Sequence, residues 1–228
     1  MIIAVTGLAR EARLVAGPDV HPIVGGGDAK ALKERLTAEL ENGARRILSI
    51  GICGALCPEL RVGDTIIASE IVHGGDAYPT HGSWSRDLAS RLPHAVLAPL
   101  AGSDEMAADR ETKERLRAGT RASAVDMESH IAARVARERS VPFAAVRVVS
   151  DAAHRSLPAA ARVAMRPTGG IDFGAVFRAV RRAPRQLPEL IRTAWEAEIA
   201  FAALFRCRHA LNGGFAGADL GQLALDMG

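Results

Sequence analysis

Apolar positions along the chain alternate between short unbroken runs and stretches with helical spacing. Ile2–Thr6, Val20–Val24, Arg46–Ile50, Thr65–Val72 and Ala95–Leu100 are runs of strand length, as buried strands show. Between them, Arg10–Val15, Ala31–Glu41, Ser85–Arg91 and Arg110–Ala118 read as helices, the second with Leu32, Leu36 and Leu40 at spacing four. Strands alternating with helices indicate an α/β fold.

The most informative stretch is Ala122–Asp151. Ala122–Asp126 is a short apolar strand. Met127–Arg139 carries Met127, Ile131, Ala132 and Val135 on one helical face, and Ser140-Val141-Pro142 ends it because proline cannot continue a helix. Phe143–Val149 is a continuous apolar strand. A crossover of this kind predicts two parallel strands, whose carboxyl ends share one sheet edge, where α/β folds bind ligands. Asp126 and Glu128 follow the first strand, and Ser150 and Asp151 follow the second. The pattern therefore predicts carboxylates converging on one crevice.

Composition narrows the class. With 228 residues, 48% of them hydrophobic, the chain can bury one core, so a single domain over 1–228 is expected, with 170–228 a helical extension. A net charge of +3 gives no argument for nucleic acid. No apolar run reaches the roughly 18 residues of a membrane span. The N-terminal MIIAVTG reads as a strand and not a signal peptide, so a cytoplasmic protein is expected. Three cysteines do not suggest a disulfide framework. Cys53 and Cys57 lack partners at zinc-site spacing, and the seven histidines are scattered, so no metal is expected. No G-x-G-x-x-G follows the first strand, so no nicotinamide cofactor is expected.

Two glycine-rich segments follow strands. Gly25-Gly26-Gly27 precedes a helix and could offer backbone N–H groups to an anion; Gly51-Ile52-Cys53-Gly54-Ala55-Leu56 would let backbone approach a flat ligand. His73–Trp84, with Tyr78, His81 and Trp84, reads as an irregular surface loop. Ala152–Thr168 reads as a loop with one short helix. Asp172–Arg182 and Leu187–Arg208 read as helices, and 210–228 as a tail. Arg178, Arg181, Arg182, Arg185 and Arg192 cluster beside an apolar face of Leu187, Leu190, Ile191, Trp195, Ile199, Ala202 and Phe205. Such a region suits a helix closing the sheet, a homodimer or higher-oligomer contact, or peripheral contact with an anionic membrane.

AVDMES followed by VRVVSD resembles the nucleoside phosphorylase and nucleosidase superfamily, whose pattern is V-E-M-E, a crossover helix, and a strand ending in S-D. The resemblance covers roughly residues 1–155 and includes L-R-V-G-D at Leu60–Asp64 and G-S-D at Gly102–Asp104. It implies a three-layer αβα fold with a central mixed sheet, phosphorylase/hydrolase-like, that cleaves a purine–ribose bond. By position, Met127 would pack on the ribose, Glu128 would bind the ribose hydroxyls with its negative charge supporting an oxocarbenium-like sugar, and Asp151 would protonate the base, provided burial raises its pKa. Asp126 replaces the family's first Glu. Cys53, Gly54, Ile52 and Ser150 would line the nucleoside. The nucleosidases' G-x-x-E-E-E ends here in Ala12, so the water-activating role falls to Glu11, one residue early. Ile52 replaces a Ser and Ser49 an Arg of the phosphorylase branch, which depletes the phosphate clamp and leaves Gly26 and Arg10 as candidates to hold phosphate. No cofactor is implied beyond phosphate as a co-substrate. GLAREA, GICGAL and PTGGIDF resemble the hopanoid-associated phosphorylase branch, which implies adenosylhopane, a lipid-linked nucleoside, as substrate. A 5′-methylthioadenosine/S-adenosylhomocysteine nucleosidase and an inactive nucleoside-binding protein are the alternatives.

Overall fold

A computed structural model describes residues 1–162, 170 and 173–211. Its order is β1 (Ile2–Thr6), α1 (Ala9–Val15), β2 (Val20–Val24), α2 (Ala29–Glu41), β3 (Arg46–Ala55), β4 (Thr65–His73), β5 (Asp76–Pro79), α3 (Gly82–Arg91), β6 (Val96–Gly102), α4 (Arg110–Thr120), β7 (Ala124–Asp126), α5 (Ser129–Arg139), β8 (Phe143–Asp151), α6 (Ala159–Arg162), α7 (Phe173–Arg182) and α8 (Leu187–Ala210). The sheet is mixed and the helices flank it. Leu32 and Leu36 of α2 and Ile131, Ala132 and Val135 of α5 pack on one face. Val15 of α1, Trp84 and Leu88 of α3, and Ala200, Phe201 and Leu204 of α8 pack on the other. The three-layer architecture expected from the sequence is the one observed.

Local chemistry explains the helix ends. Asp28 accepts the Ala31 N–H at 2.9 Å to start α2, and Asp109 accepts the Thr112 N–H at 2.8 Å to start α4. Ser140 closes α5 in a left-handed conformation, with φ of 53°, immediately before Val141-Pro142.

Strand pairing departs from the expectation in one instructive way. β8 runs parallel to β3, but β7 runs antiparallel to the end of β3. The two strands flanking α5 are therefore neither neighbours nor parallel. β3 explains why their ends still meet. Its first half pairs with β1 on one edge, and β7 takes over that edge at Gly54 and Ala55, while β8 follows the other edge from Ile47 to Gly54. β8 also pairs with β4, β4 with β6 and β6 with β7, so these strands close a ring.

Two further expectations change. Gly51–Ala55 is strand and not a loop, because β8 pairs one edge of β3 through Gly54 and β7 takes the other edge at Gly54 and Ala55. The His73–Trp84 stretch holds β5, hairpinned on β4, and the start of α3. Tyr78 and Trp84 are buried there, Tyr78 in the core on the α2 and α5 face of the sheet and Trp84 in the core on the α1, α3 and α8 face. PTGGIDF and the tail beyond residue 211 fall mostly outside the described residues. No helix among the described residues is long and apolar enough to cross a membrane.

Candidate active site

Asp126 and Asp151 flank the end of β3 from its two edges. Gly54 is opposite Val125 of β7 on one side and Asp151 of β8 on the other. A cavity of about 230 Å³ opens there. Its wall includes Glu11, Met127, Glu128 and Asp151 together, along with Ile52, Cys53, Gly54, Asp126 and Ser150. Thr193 and Ala197 of α8 and Leu157 complete a largely apolar lining.

Glu128 sits in the turn between β7 and α5, wedged between two glycine turns. A Cβ on Gly7 would lie 2.9 Å from its Oε1, and one on Gly25 would lie 2.8 Å from its Cγ. The first glycine run thus makes room for a carboxyl side chain. Two of its three amides are already engaged: the Gly25 and Gly26 N–H groups donate to the Thr6 and Gly7 carbonyls at 2.7 and 3.3 Å. Gly26 is absent from the cavity wall, and so is Arg10. The Arg10 guanidinium makes a bidentate pair with Glu198 and lies 4.1 Å over the Phe201 ring, both on α8. Neither of the groups proposed to hold phosphate faces the cavity.

Glu11 does face it. Its Oε2 accepts N–H bonds from Gly7 and Leu8, each at 2.8 Å, and its Oε1 accepts the Ile52 N–H at 2.7 Å. The first helical turn folds this carboxylate back under its own N-terminus.

One buried cation organises the acids. Arg147 of β8 is fully buried. Its Nε lies 2.7 Å from Asp126 Oδ2, its Nη2 lies 3.8 Å from Glu128 Oε2, and Nη2 donates to Ser49 Oγ at 2.6 Å. Gly51 leaves the space where Arg147 meets Glu11: a Cβ there would lie 2.6 Å from Glu11 Oε1 and 2.7 Å from Arg147 Nη1. Asp126 is committed to structure as well as to the cavity wall. Its Oδ1 accepts the N–H groups of Glu128 and Ser129 at 3.0 and 2.7 Å, capping α5.

Burial dominates the ionisation of this group. It pushes the Glu128 carboxyl up to about 8; the Arg147 guanidinium opposes the shift, and Asp126 and Glu11 add to it. Burial likewise raises Glu11, again against Arg147. Burial works against the Arg147 charge, but Asp126, Glu128 and Glu11 outweigh it and hold its pKa above the ordinary arginine value. The sequence led us to expect an ionised Glu128; its surroundings favour the neutral carboxyl near pH 7.

Asp151 has a different partner. Lys113 of α4 is buried, and its ammonium pairs with Asp151 Oδ2 and donates to the Ala152 and Arg155 carbonyls at 2.8 and 3.2 Å. Ser150 Oγ lies 2.8 Å from Asp151 Oδ1 and 3.0 Å from the Cys53 carbonyl, so its single proton serves one at a time. Gly54 allows the approach, its Cβ position being 3.2 Å from Asp151 Oδ2.

Arg147 and Lys113 were not singled out in the sequence. Arg147 had a usable signal, a lone charge inside the apolar strand Phe143–Val149. Lys113 had none, because α4 is dominated by Arg, Lys and Glu and a lysine among them looks solvated. Outside the cavity, His73, Asp104 and His130 each place a ligand-capable atom within 4.8 Å of the others.

The family model described as Phosphorylase superfamily matches residues 2–182. No curated protein matches the chain in sequence. Among solved structures, the chain is similar to a 5′-methylthioadenosine/S-adenosylhomocysteine nucleosidase from Helicobacter pylori holding butyl-thio-DADMe-Immucillin-A, with a TM-score of 0.62 and 16% identity over 91% of this chain and 97% of that one. A putative methylthioadenosine nucleosidase from Weissella paramesenteroides superposes with a TM-score of 0.60 and 20% identity, covering 90% and 97%. The futalosine hydrolase of Helicobacter pylori strain 26695 gives 0.55 and 18%, covering 65% and 89%. At these identities the likeness is one of fold.

Proposed function

The chain belongs to the phosphorylase superfamily, and on that footing we propose that it cleaves the N-glycosidic bond of a 5′-substituted adenosine and releases adenine. The observation that carries this reading is the shared cavity wall of Glu11, Met127, Glu128 and Asp151. Cleavage needs a proton on the departing base, support for positive charge on the ribose, and a nucleophile on the opposite face. Asp151, held by Lys113 and Ser150, is the group placed to pass a proton to the base. Because the Lys113 ammonium pairs with its carboxylate form, it must first take that proton up from solvent; general acid help of this kind is worth roughly 100- to 10,000-fold. Glu128 binds the ribose hydroxyls. Burial biases its carboxyl toward the neutral form; as the sugar becomes cationic, release of that proton to solvent is favoured, so its stabilisation grows toward the transition state. Met127 supplies a soft apolar surface to the sugar.

Water is the acceptor in this reading. Glu11 faces the cavity with a pKa raised by burial, which suits a general base, whereas Arg10 and Gly26 are engaged elsewhere.

The 5′ substituent is read as large and apolar, as in adenosylhopane of hopanoid biosynthesis. Three features support this. GLAREA, GICGAL and PTGGIDF resemble the hopanoid-associated branch. The α8 side of the cavity is lined by Thr193 and Ala197. On the opposite, solvent-facing side of the same helix, Leu187, Ile191, Trp195 and Ile199 form an exposed apolar stripe at spacing four, with Trp195 69% exposed. The exposed Arg178, Arg181, Arg182, Arg185 and Arg192 lie on the same segment, and basic and apolar surface side by side suits an anionic membrane that delivers a lipid-linked substrate. A 5′-methylthioadenosine/S-adenosylhomocysteine nucleosidase is the competing reading, favoured by the fold neighbours. The test is adenine release from a long-chain 5′-alkyl adenosine and from 5′-methylthioadenosine, each with and without phosphate. The proposal expects preference for the long chain and no phosphate requirement; preference for methylthioadenosine supports the competitor, and no adenine from either supports an inactive binding protein.

A further inference from the structure

Three residues far apart in sequence, His73, Asp104 and His130, are delivered to one place by adjacent strands. β4 ends at His73, β6 ends at Gly102 two residues before Asp104, and β7 leads through the Met127–Glu128 turn into α5, whose second residue is His130. These strands are parallel neighbours with Val72 opposite Ala101 and Gly102 opposite Asp126. Their carboxyl ends therefore present the three side chains together.

The arrangement is held from behind. His73 and His130 stack with ring centroids 4.1 Å apart and planes at 20°. Gly102 is what allows this, since a Cβ there would overlap the His130 ring. His73 Nδ1 lies 3.1 Å from the Gly102 carbonyl. An N–H donated there fixes the tautomer and leaves Nε2 as a bare lone pair, the arrangement found behind metal-bound histidines. Nε2 lies 3.9 Å from Asp104 Oδ2, and His130 Nε2 lies 3.0 Å from Asp104 Oδ1. Two ligand atoms bound tetrahedrally at about 2 Å from one zinc ion lie roughly 3.3 Å apart. The two distances, one to each Asp104 oxygen, bracket that figure, and the stacked rings would part by about 1 Å for both Nε2 atoms to face one tetrahedral ion. The Asp104 side chain is 68% exposed, so it can close on an ion without repacking.

We propose that His73, Asp104 and His130 form a binding site for a first-row divalent transition metal, with zinc the best fit, outside the nucleoside cavity. Two imidazoles and one carboxylate select such ions over magnesium and calcium, which prefer oxygen ligands. A metal here ties the end of β4 to the loop after β6 and to the first turn of α5, immediately after Glu128. It would act as a clasp on that turn.

The test is isothermal titration of the untagged full-length chain with Zn²⁺, together with the visible spectrum of the Co²⁺ form. Expected are saturation near one equivalent, no competition from excess Mg²⁺ or Ca²⁺, Co²⁺ absorption bands, and a rise in Tm with metal concentration. His73→Phe, which preserves the ring stack, and Asp104→Asn should each weaken Zn²⁺ binding at least tenfold while melting like the metal-free wild type. Cys57→Ser, which removes the half-exposed thiol, should bind as the wild type does. No Zn²⁺ uptake, uptake unchanged in both His73→Phe and Asp104→Asn, or uptake lost only in Cys57→Ser would each overturn the site. None of these readouts depends on adenine release, so the metal site and the nucleosidase reading fail separately.

Discussion

Lys113 reaches from α4 to seat its ammonium on Asp151, and all three of its protons have acceptors: the Asp151 carboxylate and the Ala152 and Arg155 carbonyls. The proposed acid of the reaction is thus clamped by a residue that never needs to touch the substrate. Removing one member of a buried pair leaves an uncompensated charge and costs about 3–5 kcal/mol. Lys113→Met should lower the urea midpoint accordingly and reduce kcat for adenine release more than it raises KM. Wild-type stability and kcat in this variant would show that the clamp does nothing.

Arg147 faces Asp126, Glu128 and Glu11 from the centre of the fold. Arg147→Met should be harsher than Lys113→Met, since it leaves Asp126 and two further buried carboxyl groups without their cation. Loss of at least about 3 kcal/mol of stability is expected in chemical denaturation. Lowering the pH should partly rescue the variant, because protonating the carboxyls removes their mutual repulsion.

Gly51→Ala tests a close approach and not a turn. Its Cβ would meet Glu11 Oε1 and Arg147 Nη1 at 2.6 and 2.7 Å. Glu11 is pinned by three backbone N–H groups and cannot yield. Overpacking of this kind costs about 1–3 kcal/mol, and adenine release should fall with it. A stable, fully active Gly51→Ala chain would contradict the packing described for Glu11.

The raised pKa of Glu128 makes stability depend on pH with a defined sign. The unfolded chain loses this proton near the ordinary carboxylate value, whereas the folded chain keeps it to about pH 8. Between those values the folded state binds more protons, so its stability falls as pH rises and levels off above about pH 8. The contribution is on the order of a few kcal/mol. Glu128→Gln should flatten this part of the stability curve and be relatively more stable near pH 8. An identical pH slope in wild type and Glu128→Gln would remove the assignment.

Much of the fold was legible because it rests on local patterns. The apolar runs at Ile2–Thr6 and Phe143–Val149 and the leucine spacing of α2 depend only on which faces are buried, and the strands and helix they predict are present. Long-range pairing was not legible in the same way. The crossover rule predicted parallel strands around α5, but β3 is long enough to pair with β7 on one edge and β8 on the other, and nothing within 122–151 reports the length of another strand. The glycines of GICGA looked like a loop because glycine usually marks one. Here Gly51 and Gly54 are strand residues that admit the Glu11, Arg147 and Asp151 side chains. Convergence of Glu128 and Asp151 followed from their positions at element ends, whereas their partners did not. Arg147 and Lys113 acquire their roles from burial, which a single charged letter does not announce. The apolar face read on α8 also proved to be the exposed one; the helix packs through Glu196, Ala200, Leu204 and Cys207 instead.

The central claim is that Glu128 and Asp151 act on one nucleoside from opposite sides of β3. It is tested most directly by the rate of adenine formation from a 5′-alkyl adenosine by wild type, Asp151→Asn and Glu128→Ala, with each variant's fold checked by circular dichroism. The account predicts adenine from the wild type, a roughly 100- to 10,000-fold slower rate in folded Asp151→Asn, and no measurable release in Glu128→Ala. Undiminished adenine release by either folded variant would contradict it.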